Sequence, residues 1–279
     1  MNREARILVA AALACAALFA LLVAAAYGIG PVERFDAKTL RSLWVVAGNG
    51  DALLPQVIAH LADPLPLLFF LAAIAAAGLY LGRGERVLAG IAVVGCATVA
   101  SQLLKALLAH PRIQPLYLSM EDASLPSGHA TAAMSLAVAA VLIAPKSLRV
   151  PTAALGAFFA LAVGISVVLL GWHYPSDVFA GYLVAVGIGL IALAILRVRE
   201  SEEAGDERAG RSARPAAGLA LATLAGAVIA VGSVRADDLA GYARDHTLGM
   251  GTAVAIAATA VALVFAVSLA ARDSRAPGD

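Results

Sequence analysis

PTAALGAFFALAVGISVVLLGWHYPSDVFAGYLVAVGIGLIALAIL, residues 151–196, consists of two apolar runs joined by a short polar turn. Each run is about as long as the roughly 20 apolar residues a helix needs to cross a bilayer. Neither shows the alternation of a barrel strand, and an open strand cannot satisfy its backbone in lipid, so both runs are expected to be helical. The turn carries His173, Pro175 and Asp177. Pro175 suits the first turn of a helix. His173 and Asp177 are four residues apart, so the carboxylate can fix the imidazole tautomer and leave the other ring nitrogen free as a nucleophile. Taken alone, the pair also reads as an interfacial histidine beside a helix-capping aspartate.

The rest of the chain extends this pattern. Of its 279 residues, 61% are hydrophobic and 14% charged, against about half and a quarter in soluble domains. Eight segments read as membrane spans: 6–27, 65–82, 87–109, 128–144, 151–171, 176–196, 216–234 and 248–271. The expected fold class is therefore all-α, a polytopic membrane helical bundle. The net charge of +1 supplies no field that would argue for nucleic acid. Cys15 and Cys96 lie inside apolar blocks and read as small buried hydrophobes. The run around Cys15 continues unbroken to Tyr27, which fits an uncleaved first span better than a signal peptide.

Lys and Arg placement sets the orientation. With the N-terminus in the cytoplasm, thirteen basic residues fall in cytoplasmic segments and seven in outer ones. Both termini are then cytoplasmic, and the polar groups at 105–112, 127–129 and 173–177 all fall on the outer face. Segment 28–64 is an outer loop in which Phe35, Leu40, Leu43 and Trp44 alternate with charged residues. It is expected to hold an interfacial helix, either a lipid-access element or a plain connector. Residues 197–215 read as a charged, solvated cytoplasmic linker.

Two more groups carry chemistry. Lys105 and Arg112 are nearly two helical turns apart at the outer end of the third span. They can face one anion, or can simply snorkel to the interface. Pro126-Ser127-Gly128-His129 opens the fourth span. Ser127 can cap the helix, Gly128 lets an anion approach the backbone, and the free N–H groups there favour phosphate.

Lys105-x6-Arg112, Pro126-Ser127-Gly128-His129 and Ser166-x6-His173-x3-Asp177 together resemble the three-part signature of the type 2 phosphatidic acid phosphatase (PAP2) superfamily. The resemblance implies a six-helix catalytic core over 1–196 with its motifs within 105–177. The linker 197–215 and two extra transmembrane helices within 216–279 would follow. It implies that His173 attacks phosphorus to form a phosphohistidine, with Asp177 orienting it and His129 protonating the leaving group. Lys105, Arg112, Ser127 and Gly128 would bind phosphoryl oxygens. No metal and no cofactor is implied.

Two positions depart from the family pattern. Ile113 stands where a proline usually follows Arg112, and Val167 stands where an arginine that grips phosphate usually follows Ser166. His110, Arg34 and Arg41 are the candidates to replace that arginine.

The implied activity is metal-independent dephosphorylation of an isoprenoid or glycerolipid phosphate or diphosphate at the outer face of a bacterial inner membrane. Undecaprenyl-type diphosphates, phosphatidylglycerophosphate and phosphatidic acid are the substrate classes it allows. The expected partners are this lipid substrate and the surrounding membrane lipids. The sequence leaves the oligomeric state open. Two further readings stand beside hydrolysis: phosphotransfer through the same intermediate, and a non-catalytic lipid-phosphate binder or transporter.

Overall fold

Nine α-helices and no strand make up the residues described by the computed structural model, which are 3–48, 52–114, 122–203 and 247–271. In chain order they are α1 (Arg3–Gly28), α2 (Gly30–Val46), α3 (Leu53–His60), α4 (Pro64–Tyr80), α5 (Gly84–Leu107), α6 (Gly128–Ile143), α7 (Arg149–Leu169), α8 (Pro175–Glu203) and α9 (Thr247–Ala270). Helices α1, α5, α7, α8 and α9 are long and apolar enough to span a membrane. Helices α3 and α4 together also qualify, as one span bent by 56°. Seven of the eight expected spans thus correspond to helices. The span expected at 216–234 lies outside the described residues, as does linker segment 204–215.

Helix α6 is the axis of the bundle. Ala130–Ala139 and Val141–Ile143 are all buried, and α4, α5, α7, α8 and α9 pack around it. With 16 residues it is short for a span. Its polar end faces protein rather than lipid and so needs no apolar extension. Small residues let its neighbours come close. At Gly181 of α8 a Cβ would stand 2.8 Å from both the Ser127 carbonyl oxygen and Thr131 Oγ1. This contact fixes the start of α6 against the start of α8. Cys15 is buried, whereas Cys96 is exposed on the outside of the bundle.

Two segments differ from expectation. Residues 197–203 lengthen α8 instead of opening the linker, because Arg197 is buried and finds Glu200 at 3.0 Å and Glu4 at 3.7 Å. Helix α2 is amphipathic, but it is not a free interfacial helix. Ala37, Leu40 and Leu43 are buried, and α2 packs against α1, α7, α8 and α9. Its inward face also carries Asp36, which is 4% exposed.

A candidate active site between two histidines

The site forms where α6 begins and where three connections meet it. Ser127 caps α6, with its Oγ accepting from the Ala130 N–H at 3.3 Å. Its own N–H donates to the Asp177 carbonyl at 2.9 Å, tying α6 to the first turn of α8. On α5, Gln102 Nε2 and Lys105 Nζ stand 3.7 and 3.9 Å from where a Gly128 Cβ would be. An ammonium and an amide therefore overlook a helix N-terminus, an arrangement that favours an anion.

The α7–α8 turn delivers the candidate nucleophile. Helix α7 ends at Leu169 and is followed by Gly171, whose φ of +75° is the left-handed conformation that glycine adopts most readily. The Trp172 and His173 N–H groups donate back to the Val167 carbonyl at 2.9 and 3.3 Å. His173 Nδ1 lies 3.4 Å from Asp177 Oδ2, which also accepts from the Tyr174 N–H at 3.0 Å. Arg112 Nη1 donates to Asp177 Oδ1 at 3.0 Å. A fully buried carboxylate is thus held by three donors, and the second nitrogen of His173 is the one not taken by Asp177.

Arg112 is held more tightly than a simple phosphate clamp requires. Its Nη2 pairs with Asp36 and its Nη1 also donates to Ser176 Oγ at 3.3 Å. Its guanidinium lies 3.9 Å from the Tyr174 ring centroid. Burial works against the Arg112 charge, but Asp177 and Asp36 outweigh it and raise the Arg112 pKa further. Burial pushes the Asp36 carboxyl up, against the pull of Arg112 and Ser176. The Tyr174 hydroxyl is pushed up to about 12, chiefly by burial, and donates to the Ile113 carbonyl at 3.1 Å. The Ile113 N–H donates to Glu33 Oε1 at 2.6 Å. A proline, as in the family pattern, has no N–H to make that bond.

Across from His173 stands His129, with ring centroids 6.4 Å apart. His129 Nε2 is 3.1 Å from Asp63 Oδ1, and Asp63 Oδ2 is 2.9 Å from His60 Nδ1. Trp172 contacts both of these imidazoles, at 5.4 Å from His129 and 5.6 Å from His60. From this centre a groove of about 580 Å³ runs between α4 and α5. Asp63, Lys105, Gln102, Gly128 and His129 line its polar part, and Leu67, Leu71, Ile91 and Val94 continue it as an apolar channel.

The structure therefore brings Lys105, Arg112, Ser127, Gly128, His129, His173 and Asp177 to one end of the bundle. Only Lys105, Gly128 and His129 of these line the groove. Ser127 is fully buried at the cap, and Arg112 is turned to carboxylates, although its Nε has no hydrogen-bond partner among the described residues. Val167 is fully buried in the hydrophobic core. Of the candidates to replace the missing arginine, Arg34 and Arg41 are exposed, and the His110 ring packs 5.0 Å from Tyr27.

Sequence reasoning missed Asp36, Asp63, His60, Gln102 and Trp172. One signal was available: Asp63-Pro64 is a carboxylate at the threshold of an apolar run, where a charge is costly unless it has a partner.

The profile of the PAP2 superfamily matches residues 8–201, which leaves α9 beyond it. The crystal structure of a transmembrane PAP2 type phosphatidylglycerolphosphate phosphatase from Bacillus subtilis is similar, with a TM-score of 0.55 and 22% identity. The similarity covers 71% of this chain and 98% of that one. No curated protein matches the chain.

Proposed function

The chain belongs to the PAP2 superfamily, and from this premise we propose that it removes phosphate from a lipid phosphate or diphosphate through a phosphohistidine on His173, without a metal ion. The groove carries this reading. An apolar channel between two membrane helices that ends on an imidazole, an ammonium and a helix N-terminus suits a ligand with a phosphate head and a hydrocarbon tail.

In the first step the free nitrogen of His173 attacks phosphorus while the phosphorus–oxygen bond to the leaving group breaks. The leaving oxygen takes a proton from His129. Asp177 stabilises the positive charge that forms on the His173 ring. Water then attacks phosphorus and gives its proton to His129, and the phosphorus–nitrogen bond breaks, with its electron pair returning to His173. Lys105, Gln102 and the N–H groups opening α6 stabilise the phosphoryl oxygens. Arg112 acts first on Asp177, with Nε among the donors it has left for a phosphoryl oxygen.

The charge distribution supports a cytoplasmic N-terminus, so α1 runs outward and the site opens at the outer leaflet of a bacterial inner membrane. A glycerolipid or isoprenoid phosphate reaches the site laterally from that leaflet.

The test is phosphate release by the purified full-length protein from phosphatidic acid, phosphatidylglycerophosphate, undecaprenyl diphosphate and soluble glycerol phosphate. EDTA-resistant release that is lost in His173→Ala supports the reading. Release that survives the substitution, or that EDTA abolishes, overturns it. Gly95 lines the groove and a Cβ there meets nothing within 4 Å. Gly95→Phe is therefore expected to raise KM for the lipids and leave soluble ester turnover unchanged.

A further inference from the structure

We propose that Asp63 is a positioning residue that makes His129 the proton donor and acceptor of the reaction, giving the site two histidine–aspartate dyads that face one phosphoryl group. The inference rests on the phosphatase reading above and adds a residue outside all three sequence motifs.

Asp63 precedes Pro64 as the N-cap of α4, with extended backbone angles of φ −64° and ψ 158°. An aspartate at this position ordinarily accepts a hydrogen bond from the first turn of its helix. Here its side chain makes no such bond. Both carboxylate oxygens go to imidazoles instead, Oδ1 to His129 Nε2 at 3.1 Å and Oδ2 to His60 Nδ1 at 2.9 Å. The 56° bend between α3 and α4 sets the carboxylate at the mouth of the groove. Trp172 packs against both rings and limits their rotation.

This geometry assigns the nitrogens of His129. Neutral His129 donates Nε2–H to Asp63 and keeps its lone pair on Nδ1. Protonated His129 carries a second proton on Nδ1, and that is the proton given to the leaving oxygen. When water attacks the phosphohistidine, Nδ1 takes a proton back. Each cycle therefore returns His129 to its starting state, and Asp63 accepts the same hydrogen bond throughout. The charged and titratable groups around His129 are Asp63 and, through it, His60 from the α3–α4 bend, Lys105 from α5 and His173 from the α7–α8 turn. Positive charge on Lys105 or His173 disfavours the imidazolium, and the Asp63 carboxylate favours it. The opposite dyad works with the other polarity: Asp177 holds Nδ1 of His173 and leaves its second nitrogen for phosphorus.

The test uses full-length Asp63→Asn, which keeps the size of the side chain and a residue well suited to an N-cap. Two esters are compared by kcat/KM, which reports the steps up to the first irreversible one, formation of the phosphohistidine. Phosphatidic acid has an alcohol leaving group that needs a proton, whereas 4-nitrophenyl phosphate needs far less help. On phosphatidic acid the variant is expected to lose about 10–100-fold, a part of what general acid catalysis supplies. On 4-nitrophenyl phosphate the loss is expected to be within about threefold, because a good leaving group draws little on the acid. The alkaline limb of the phosphatidic acid profile, where His129 gives up its proton, is expected to move to lower pH. Asp63→Glu is expected to recover part of the rate and to return the limb toward its original position. Equal losses on the two esters with an unmoved limb, or no loss on either, overturn the proposal. If the wild-type protein releases phosphate from neither ester, the phosphatase reading itself fails.

Discussion

The two ends of α6 hold the same kind of residue in opposite settings. Near its start, Arg112 is buried between two carboxylates, Asp36 and Asp177. Near its end, Arg149 is 3% exposed and donates to two carbonyls, Ala144 at 3.3 Å and Ala271, beyond the ends of α6 and α9. The helix dipole explains the contrast. A helix C-terminus presents unpaired carbonyls, and a buried arginine satisfies them, so little is left there for a ligand. A helix N-terminus presents unpaired N–H groups, and a protein that wants them capped can place acidic residues in the first turn. Helix α6 has none there. The nearby carboxylates serve arginine and histidine side chains instead; Ser127 takes the Ala130 N–H, and the Gly128 and His129 N–H groups before it are left for an incoming anion. The proposed phosphate end is thus marked by what the protein leaves unmatched.

Removing one charge from each end gives the largest expected contrast. Asp177→Ala takes away the partner of His173 and one of the two carboxylates around Arg112. Its kcat is expected to fall by about 10³–10⁴, the scale seen when the acid of a catalytic triad is neutralised. Arg149→Met leaves carbonyls at the far end of the bundle without donors. It is expected to cost about 1–3 kcal/mol in stability for each buried carbonyl left unsatisfied, with kcat within about twofold of wild type. Phosphate release and thermal unfolding in detergent, measured on the same preparations, separate the two. A large loss of kcat in Arg149→Met would mean that the ends are coupled through α6.

A subtler contrast runs along the α6–α8 contact. At Gly181 a Cβ meets backbone, the Ser127 carbonyl at 2.8 Å and the Thr131 nitrogen at 3.0 Å. At Gly189 it meets a side chain, Val138 Cγ1 at 2.4 Å. A valine side chain can change rotamer, but a helix start cannot move without taking His129 with it. Gly181→Ala is therefore expected to lower kcat by about 10–100-fold, since a displacement on the order of 1 Å can cost that much. Gly189→Ala is expected to cost about 1–3 kcal/mol of stability through overpacking, with kcat nearly unchanged. Equal effects of the two substitutions on kcat would show that the start of α6 is not the sensitive element.

Much of this architecture was legible in the sequence, for a reason that also sets the limit. Lipid demands long apolar helices, and hydropathy finds them wherever they are. Hydropathy does not rank them, because lipid and protein interior are equally apolar. Helices α6 and α9 read alike, yet α6 is enclosed and α9 exposes Val254, Val261 and Leu269. The three motifs were legible because each lies within a few residues of chain. Asp36 is 76 residues from Arg112 and Asp63 is 66 residues from His129. No spacing rule reaches that far, so only the packing of α2 and the bend before α4 bring these pairs together. The linker start was misplaced because charged residues at 197–200 looked solvated, whereas Arg197 is buried among partners from α1, α8 and α9.

The smallest expected effect concerns the arginine absent at Val167. If a residue of α2 supplied that charge, it would have to face the two histidines. Arg34 and Arg41 instead lie on the exposed face of α2, away from Asp36, which is buried against Ser176. Arg34→Gln and Arg41→Gln are each expected to change kcat/KM by less than about twofold, the range of exposed substitutions that touch no special feature. The assay is phosphate release at constant ionic strength, so that a change in surface charge is not mistaken for a lost contact. A tenfold loss in either variant would mean that α2 turns a guanidinium toward the phosphate when substrate binds. With neither loss, Lys105, the start of α6, Arg112 and His110 are left as the groups that would meet the phosphoryl charge in place of the arginine absent at Val167.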